Sequence, residues 1–218
     1  MARTRRTGLF ITFEGTEGAG KSTLISILAT ELKRHFESQG MNRGVTVTRE
    51  PGGSGVAEKI RGVILNEEMD PWCELFLYEA ARAEHLARTV FPALERGDWV
   101  LCDRFTDSSL AYQSHARGLP WKEVKTLNKL ATQNTKPNLT VLVDIDPAVG
   151  LARASDKNRF EAEGVAFQTK VRQGFLKSKK EDPKRWYVLP ASNATPEENA
   201  RKVLKVILSR FEKKKVRK

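Results

Sequence analysis

The chain has 218 residues, 39% of them hydrophobic and 30% charged, a composition typical of a soluble globular protein with a sizeable core. It excludes disordered and fibrous chains, and the net charge of +11 points to an anionic partner. Nucleic acid, a membrane surface and phosphorylated small molecules are the main classes of such partners.

Segments typical of strands and of helices alternate along the chain, the strands as short apolar runs and the helices as apolar residues with helical spacing. In chain order we predict strand 9–13, a helix from Leu24 to a stop near Gly40, strand 45–48, helices 56–65 and 71–96, strand 99–102, helix 121–134, strand 139–145, a polar stretch 153–163 followed by a helix, strand 186–189 and helix 196–212. This alternation predicts an α/β fold with a mainly parallel central sheet and helices on both faces.

Most of the positive charge lies at the two ends of the chain. Residues 1–7 carry three positive charges, and residues 210–218 carry six positive charges and one negative charge, so the ends hold +8 of the +11. Residues 177–185 hold the remaining +3. We therefore expect one domain, residues 8–210, between two basic tails, residues 1–7 and 211–218. The tails are either solvated ends or docking segments for a polyanion, and the neutral body argues against a nucleic-acid partner.

Nothing in the sequence indicates a membrane or secreted protein. No segment approaches the roughly 20 apolar residues of a membrane span, and the apolar run 9–13 is too short for a signal peptide. Cys73 and Cys102 are far apart and lack metal-site spacing, so we expect two core cysteines and no disulfide. A cytoplasmic location is the expectation.

Residues 15–22 read GTEGAGKS, which fits the phosphate-binding pattern G-x-x-x-x-G-K-[ST] between a predicted strand and a predicted helix. Glycines let the backbone N–H groups turn towards phosphate oxygens, and the helix start adds its positive dipole end. Lys21 supplies a charge to the β- and γ-phosphates, and the Ser22 hydroxyl is a ligand for Mg²⁺. The expected ATP-binding residues are Gly15, Thr16, Glu17, Gly18, Ala19, Gly20, Lys21, Ser22 and Thr23.

Asp103 follows the third predicted strand, at the sheet edge where the loop of residues 15–22 also lies. A carboxylate there typically holds Mg²⁺, so Ser22 and Asp103 are the expected metal ligands. A simple surface ion pair between Asp103 and Arg104 is the alternative.

The loop and four further stretches together resemble one family. They read FEGTEGAGKST (13–23), TREPGG (48–53), ELFLYEAARAEH (74–85) and DRFTDSSLAYQ (103–113), with Arg153, Lys157 and Arg159 in a later polar loop. In order and spacing they resemble the bacterial type of thymidylate kinases, over almost all of residues 8–210. The resemblance implies a three-layer P-loop NTPase fold with a short lid at about 153–163, ATP-dependent and Mg²⁺-dependent conversion of dTMP to dTDP, and a homodimer.

The resemblance also implies roles for acceptor-site residues. Arg49 and Arg104 would hold the acceptor phosphate, and Glu17 would contact the 3′-hydroxyl of the sugar. For the base it implies stacking by Tyr78, where the family commonly has phenylalanine, and a contact from Arg82 to a base oxygen. Ser108 and Gln113 would contact the polar edge of the base, and Tyr112 would pack against the deoxyribose. Each has a simpler interpretation as a packed aromatic, a capped helix, a solvent-facing loop residue or a local salt bridge.

The lid is where this chain departs from the family pattern, because it is shorter and has fewer arginines. Arg159 first, and Arg153 second, are the expected cations on the transferring phosphate, with ordinary exposed cations as the alternative. The turn at Ala191, Ser192 and Asn193 corresponds to the adenine contact of relatives. The attacking phosphate oxygen is already anionic at neutral pH, so we expect catalysis by positioning and charge, without a strong general base.

Three other functions stay open on the sequence alone. A kinase for UMP, CMP or a deoxynucleoside would share the loop but lack the combined acceptor motifs. A nucleic-acid-dependent ATPase would use the basic tails and show steep salt dependence. A nucleotide-binding module without catalysis is disfavoured because Lys21, Ser22 and Asp103 are all present.

Overall fold

The computed structural model describes residues 6–153, 159–190 and 194–212. Five strands form one sheet in the order β2-β3-β1-β4-β5, and every neighbouring pair is parallel. The strands are β1 (Leu9–Glu14), β2 (Val45–Arg49), β3 (Trp99–Asp103), β4 (Leu139–Asp144) and β5 (Trp186–Pro190). The predicted α/β fold with a parallel sheet is confirmed.

Helices connect the parallel strands along the chain. They are α1 (Lys21–Ser38), α2 (Gly55–Asn66), α3 (Pro71–His85), α4 (Phe91–Glu95), α5 (Thr106–Ser109), α6 (Trp121–Ala131), α7 (Pro147–Arg153), α8 (Arg159–Ala162), α9 (Gly164–Glu181) and α10 (Pro196–Phe211). π-Helical turns Leu86–Val90 and Leu110–Ala116 follow α3 and α5, and a 3₁₀ turn, Pro183–Arg185, precedes β5.

The central strand β1 is buried on both faces, so its alternating side chains enter two different cores. Ile11 and Phe13 pack with α1 and α10 on one face. Phe10 packs with α4 and the preceding π turn on the other, where its ring meets Phe105 edge to face at 4.9 Å. Helices therefore cover both faces of the sheet, as predicted.

The register of the strands gathers the sequence motifs at one edge. Asp103 at the end of β3 is level with Phe13 of β1 and with Arg49 of β2. The segments that follow these strands are the loop of residues 15–20, the Pro51 turn and the turn after Asp103. In parallel sheets this carboxyl edge is where ligands bind.

Several details differ from the sequence-based predictions. Cys73 lies on the outer face of α3 and is exposed, so its predicted core position is wrong, whereas Cys102 in β3 is buried. Helix 71–96 forms but contains the π turn, and α6 ends at Ala131 because Gln133 and Asn134 adopt positive φ. Over the described residues, no helix has the length and apolarity needed to cross a bilayer.

Candidate active site

The loop between β1 and α1 turns back tightly before the helix begins. Gly15, Gly18 and Gly20 have φ values of 150°, 65° and 83°, which side chains disfavour. A Cβ at Gly15 would lie 2.6 Å from the carbonyl oxygen of Val143 in β4, so this position has no room for a side chain. The loop leads directly into the N-terminus of α1, whose free N–H groups form a ready site for an anion.

Lys21, the first residue of α1, folds its buried side chain back onto this loop. Its Nζ donates to the carbonyl oxygens of Gly15 and Thr16 at 3.3 and 3.0 Å. Burial lowers the pKa of Lys21, and the positive charge of Arg104 lowers it further, against the opposing effect of nearby acids. Because these two bonds go to neutral carbonyl groups, an anion in the loop would relieve the penalty for burying the charge.

Ser22 and Asp103 meet across the sheet edge. The Ser22 Oγ donates to the Asp103 Oδ2 at 2.7 Å, and the Asp103 Oδ1 is buried without a hydrogen-bond partner in the described structure. A hydroxyl and a carboxylate oxygen are the hard ligands that Mg²⁺ prefers. Within the described ranges, no cluster of three or more His, Cys, Asp or Glu suits a metal. Mg²⁺ usually takes one or two carboxylates together with substrate phosphates and water.

Arg104 joins the loop to the neighbouring cleft. Its guanidinium donates to the Gly15 carbonyl oxygen at 2.9 Å and to the Glu17 Oε1 at 2.7 Å. The same Glu17 oxygen accepts from the Tyr112 hydroxyl at 2.9 Å, and the guanidinium lies 5.1 Å from the centre of the Tyr112 ring. Burial alone would raise the pKa of Glu17, but Arg104 and Lys21 outweigh it and hold that pKa below its ordinary value.

The backbone of Arg104 is left-handed, with φ of 68°. Such a conformation is costly for a residue with a side chain and persists where neighbours fix it. The Arg104 N–H bonds to the Phe13 carbonyl at 2.9 Å, and the Phe105 N–H bonds to the Glu14 Oε1 at 2.9 Å. These bonds to β1 hold the turn after Asp103 so that Arg104 points towards the loop.

Arg82 of α3 forms the floor of the cleft and is almost completely buried, with 1% of its side chain exposed. Its Nε donates to Glu50 at 2.8 Å, and its Nη1 donates to both Glu79 and Asn128 at 2.7 Å. Burial would lower the pKa of Arg82, but the two carboxylates raise it above its ordinary value. Arg82 therefore stays charged, and its position is fixed by acids on two elements.

A partly open cleft lies between the loop, α2, α3 and the π turn Leu110–Ala116. Tyr78 and Arg82, one turn apart on α3, share its wall, as their four-residue spacing predicts. All predicted acceptor-site residues except Arg49 line it, namely Glu17, Tyr78, Arg82, Arg104, Ser108, Tyr112 and Gln113.

Comparison with known proteins agrees with this geometry. Residues 13–203 match the family model described as thymidylate kinase. This chain belongs to the thymidylate kinase family. The thymidylate kinase of Bacillus velezensis is 48% identical over 193 residues, 85% of this chain and 88% of that protein. That of Pelobacter propionicus is 42% identical over 216 residues, covering 94% and 96%. A crystal structure of thymidylate kinase from Ehrlichia chaffeensis superposes with a TM-score of 0.75 at 32% identity, covering 92% of this chain and 98% of that one.

Arg49 lies apart from the cleft of this thymidylate kinase family member. Its side chain is 54% exposed and pairs with Glu58 at 2.9 Å, beside a hollow that Ser22 and Asp103 also line. Arg61, on the next turn of α2 after Glu58, donates to the Pro51 carbonyl at 2.9 Å and does line the cleft. Arg61 was not predictable from the sequence, because helical periodicity alone does not show which polar residue of an amphipathic helix faces a cavity.

Two buried acids stand behind the polar residues of the cleft and were also missed. Ser108 Oγ donates to Glu14 Oε2 at 2.6 Å, and Gln113 Nε2 donates to Glu74 Oε1 at 2.7 Å. The available signal was an acid at the end of an apolar strand and an acid on the apolar face of α3, since charged residues are rarely buried without a partner.

The predicted lid is only partly described. Arg153, at the end of α7, is exposed and lines a groove with Ala19, Gly20, Thr23 and Pro190 beside the loop. Lys157, the side chain of Arg159 and the turn at Ala191, Ser192 and Asn193 lie outside the described residues. Arg153 is thus the predicted lid cation whose place beside the phosphate loop is described.

Glu14 is the buried acid with the most unusual proton affinity. Burial raises its pKa to about 8, and the negative charge of Asp107 contributes, against the lowering effects of the Ser108 hydrogen bond, Arg104 and the Phe105 N–H. In an unfolded chain the carboxyl would have its ordinary pKa of about 4.3. The folded state therefore binds more protons, and the free energy of unfolding falls as the pH rises from the unfolded value through about 8.

Glu14→Gln removes this titration while keeping the side-chain shape. Between pH 6 and pH 9 we expect the stability of the variant relative to the parent to rise by on the order of 2 kcal/mol, because only the parent must ionise a buried group. Urea unfolding of both chains at several pH values measures the difference. Above about pH 9 the difference is expected to level off, because the carboxyl is then ionised in both states. A constant difference from pH 6 to pH 9 would show that Glu14 does not have a raised pKa.

Proposed function

We propose that this chain transfers the γ-phosphoryl group of ATP to dTMP, giving ADP and dTDP. One observation carries this proposal: Arg104 bonds to Gly15 of the phosphate loop and at the same time lines the cleft beside it. Two sites for anionic groups therefore share one guanidinium, as direct transfer between two nucleotides requires. Membership of the thymidylate kinase family supports dTMP as the acceptor.

ATP would occupy the loop from Gly15 to Thr23, with its phosphates on the backbone N–H groups and its γ-phosphate near Lys21. Ser22 and Asp103 would hold Mg²⁺, in keeping with their 2.7 Å contact and the unpartnered Asp103 Oδ1. When bound, Mg²⁺ would offset negative charge on the β- and γ-phosphates. The groove that Arg153 lines beside Gly20 is the proposed place for the rest of ATP.

The cleft has the parts needed for a pyrimidine deoxynucleotide. Tyr78 would stack on the base, and Arg82 would donate to a base oxygen from a position fixed by Glu50. Ser108 and Gln113 would contact the polar edge of the base. Glu17 and Tyr112, joined by their 2.9 Å hydrogen bond, would face the deoxyribose and its 3′-hydroxyl.

Arginines would hold the acceptor phosphate, since their planar forks match phosphate oxygens. Arg104 and Arg61 line the cleft directly. Arg49 would have to leave its ion pair with Glu58, which is exposed and therefore weak, before it contacts the phosphate. We therefore propose Arg104 and Arg61 as the main contacts and Arg49 as a contact made on substrate binding.

In the transfer step an oxygen of the dTMP phosphate attacks the γ-phosphorus of ATP, and the bond from that phosphorus to the ADP oxygen breaks. The second pKa of a phosphate monoester is about 6, so the attacking oxygen is already anionic and needs no general base. Arg104 offsets repulsion between the two phosphates, and Lys21 stabilises the negative charge on the transferring group. Arg153 and Arg159 are the proposed lid cations.

The test is an acceptor panel with the purified chain, ATP and Mg²⁺. We expect ADP and dTDP to form with dTMP, and much less ADP with UMP, CMP or AMP. Omitting Mg²⁺ or adding a chelator is expected to stop the reaction. Single-stranded DNA in place of an acceptor serves as the control for a nucleic-acid-dependent ATPase. The proposal would be contradicted if dTMP gave no dTDP while another acceptor was phosphorylated, or while DNA stimulated ATP hydrolysis.

We further propose a homodimer of a single kinase domain, residues 8–210, between the basic segments 1–7 and 211–218, acting in the cytoplasm. Exposed apolar side chains support the dimer: Val63 on α2, and Phe76 on α3, whose ring stacks with Trp72 at 6.1 Å. These neighbouring helices offer an apolar surface for a second copy. Sedimentation equilibrium distinguishes the dimer from a monomer.

A further inference from the structure

Gln113 lines the cleft, yet one end of its amide is held from behind. Its Nε2 donates to the Glu74 Oε1 at 2.7 Å, and both side chains are almost completely buried. Glu74 does not line the cleft. A carboxylate only accepts hydrogen bonds, so the NH₂ end of the amide must face Glu74. The amide oxygen is therefore the end that Gln113 presents to a ligand.

Glu74 is itself held in place by Arg117. The Arg117 Nε donates to the same Glu74 Oε1 at 2.9 Å, and the Arg117 Nη1 pairs with Glu163, at the start of α9, at 2.8 Å. The Arg117 guanidinium also lies 5.1 Å from the centre of the Phe167 ring on α9. Arg117, which follows the π turn Leu110–Ala116, therefore links Glu74 of α3 to α9.

We propose that Glu74 is a positioning residue for base selection: by fixing the Gln113 amide with its oxygen towards the cleft, it makes the site accept a 2,4-dioxopyrimidine and reject cytosine. This inference rests on the proposed function. A flipped amide would place its oxygen against the carboxylate oxygen and lose the hydrogen bond. Because both side chains are almost completely buried, losing that bond would cost free energy that exposure to solvent would otherwise return.

The fixed amide suits one kind of pyrimidine edge. Thymine and uracil carry an N–H donor at N3 beside an oxygen acceptor at C4, whereas cytosine carries an acceptor at N3 beside an NH₂ donor at C4. The Gln113 oxygen accepts and the Arg82 guanidinium donates, which matches thymine and uracil group for group. Cytosine would place an acceptor against the Gln113 oxygen or a donor against Arg82, leaving buried polar groups unpaired.

The test compares kcat/KM for dTMP, dUMP and dCMP in the parent, Glu74→Met and Glu74→Gln. The ratio of dUMP to dCMP reports the N3 and C4 edge, because these substrates differ only there. In Glu74→Met the amide can turn, and we expect this ratio to fall at least about tenfold. Glu74→Gln keeps an oxygen acceptor for Gln113 and Arg117, so it is expected to restore most of the ratio.

Two controls separate positioning from a general structural role. The ratio of dTMP to dUMP reports only the 5-methyl group and is expected to be unchanged in Glu74→Met. Glu123→Met, at an exposed position in α6, is expected to leave every ratio unchanged. If Glu74→Met lowers kcat/KM for dUMP and dCMP by the same factor, Glu74 supports the fold alone and the inference is wrong.

An exchange variant keeps the inference testable if Glu74→Met does not fold. Glu74→Gln combined with Gln113→Glu retains both side-chain shapes and makes residue 113 a carboxylate that only accepts. Its dUMP to dCMP ratio is expected to stay within about threefold of the parent, and a larger fall would overturn the inference. If the parent chain phosphorylates neither dTMP nor dUMP, the proposed function fails instead.

Discussion

Lys21→Ala is expected to lower kcat for phosphoryl transfer from ATP to dTMP by a factor on the order of 10³. Lys21 is buried at the start of α1, and its Nζ lies against the loop whose N–H groups would hold the β- and γ-phosphates. Charge develops on the transferring group in the transition state, and a fixed ammonium group in a site shielded from water stabilises it strongly. Steady-state kinetics with saturating ATP and dTMP measures the loss.

The fold is expected to survive this change. The described hydrogen bonds of Lys21 go to the neutral carbonyls of Gly15 and Thr16, and burial already disfavours its charged form. Removing this buried charge releases its desolvation penalty, which outweighs the attraction of the nearby acids, so the midpoint of thermal unfolding should stay equal or rise. Lys33→Ala, at an exposed position about 18 Å further along α1, is the matched control and should keep full activity. Normal kcat in Lys21→Ala would remove the loop from the mechanism.

Arg104→Ala and Arg104→Gly are both expected to lower kcat/KM for dTMP by about a hundredfold or more. Either change deletes the guanidinium that joins Gly15 and Glu17 and lines the acceptor cleft. It also leaves the Glu17 carboxylate partly buried without its main counter-charge, next to the incoming phosphate. Titration of dTMP at saturating ATP measures the effect.

The two variants should differ in stability although they share the loss of activity. Position 104 has φ of 68°, which glycine adopts freely and alanine does not. The free energy of unfolding of Arg104→Gly should therefore exceed that of Arg104→Ala by about 1 kcal/mol. Urea unfolding of both variants measures this difference. Arg88→Ala, which removes an exposed arginine paired with Glu84, is the control for charge alone. Equal stability of the glycine and alanine variants would show that the left-handed turn is not held in solution.

The order of strands and helices was predictable from the sequence, because short apolar runs and helical spacing are local patterns. The phosphate loop was predictable for the same reason, since its glycines, Lys21 and Ser22 lie within eight residues of sequence. The acceptor residues were predictable only through resemblance to a family. Nothing local distinguishes Tyr78 or Arg82 from other residues of an amphipathic helix.

Arg49 and Arg61 show where the sequence was insufficient. They flank the same turn at Pro51 and both are cationic, yet Arg49 pairs with Glu58 outside the cleft and Arg61 lines it. Which of two arginines enters a cavity depends on how α2 packs against α3, a contact between separate elements. Glu14 and Glu74 were missed similarly, because their partners Ser108 and Gln113 come from α5 and the π turn that follows it, which are distant in sequence.

The sequence by itself determined the parallel α/β fold, the loop for a nucleotide phosphate and, by resemblance, the kinase family. Each of these depends on residues that are close together along the chain or on motifs in a fixed order. The tertiary structure decided which arginines share the cleft, which acids are buried behind it and how the Gln113 amide is oriented. The net charge of +11 shows the same division. The charge of each segment can be counted from the sequence, but packing decides which charged side chains meet at the site. The cations that meet at the site, Lys21, Arg61, Arg82 and Arg104, come from separate elements that the parallel sheet brings to one edge.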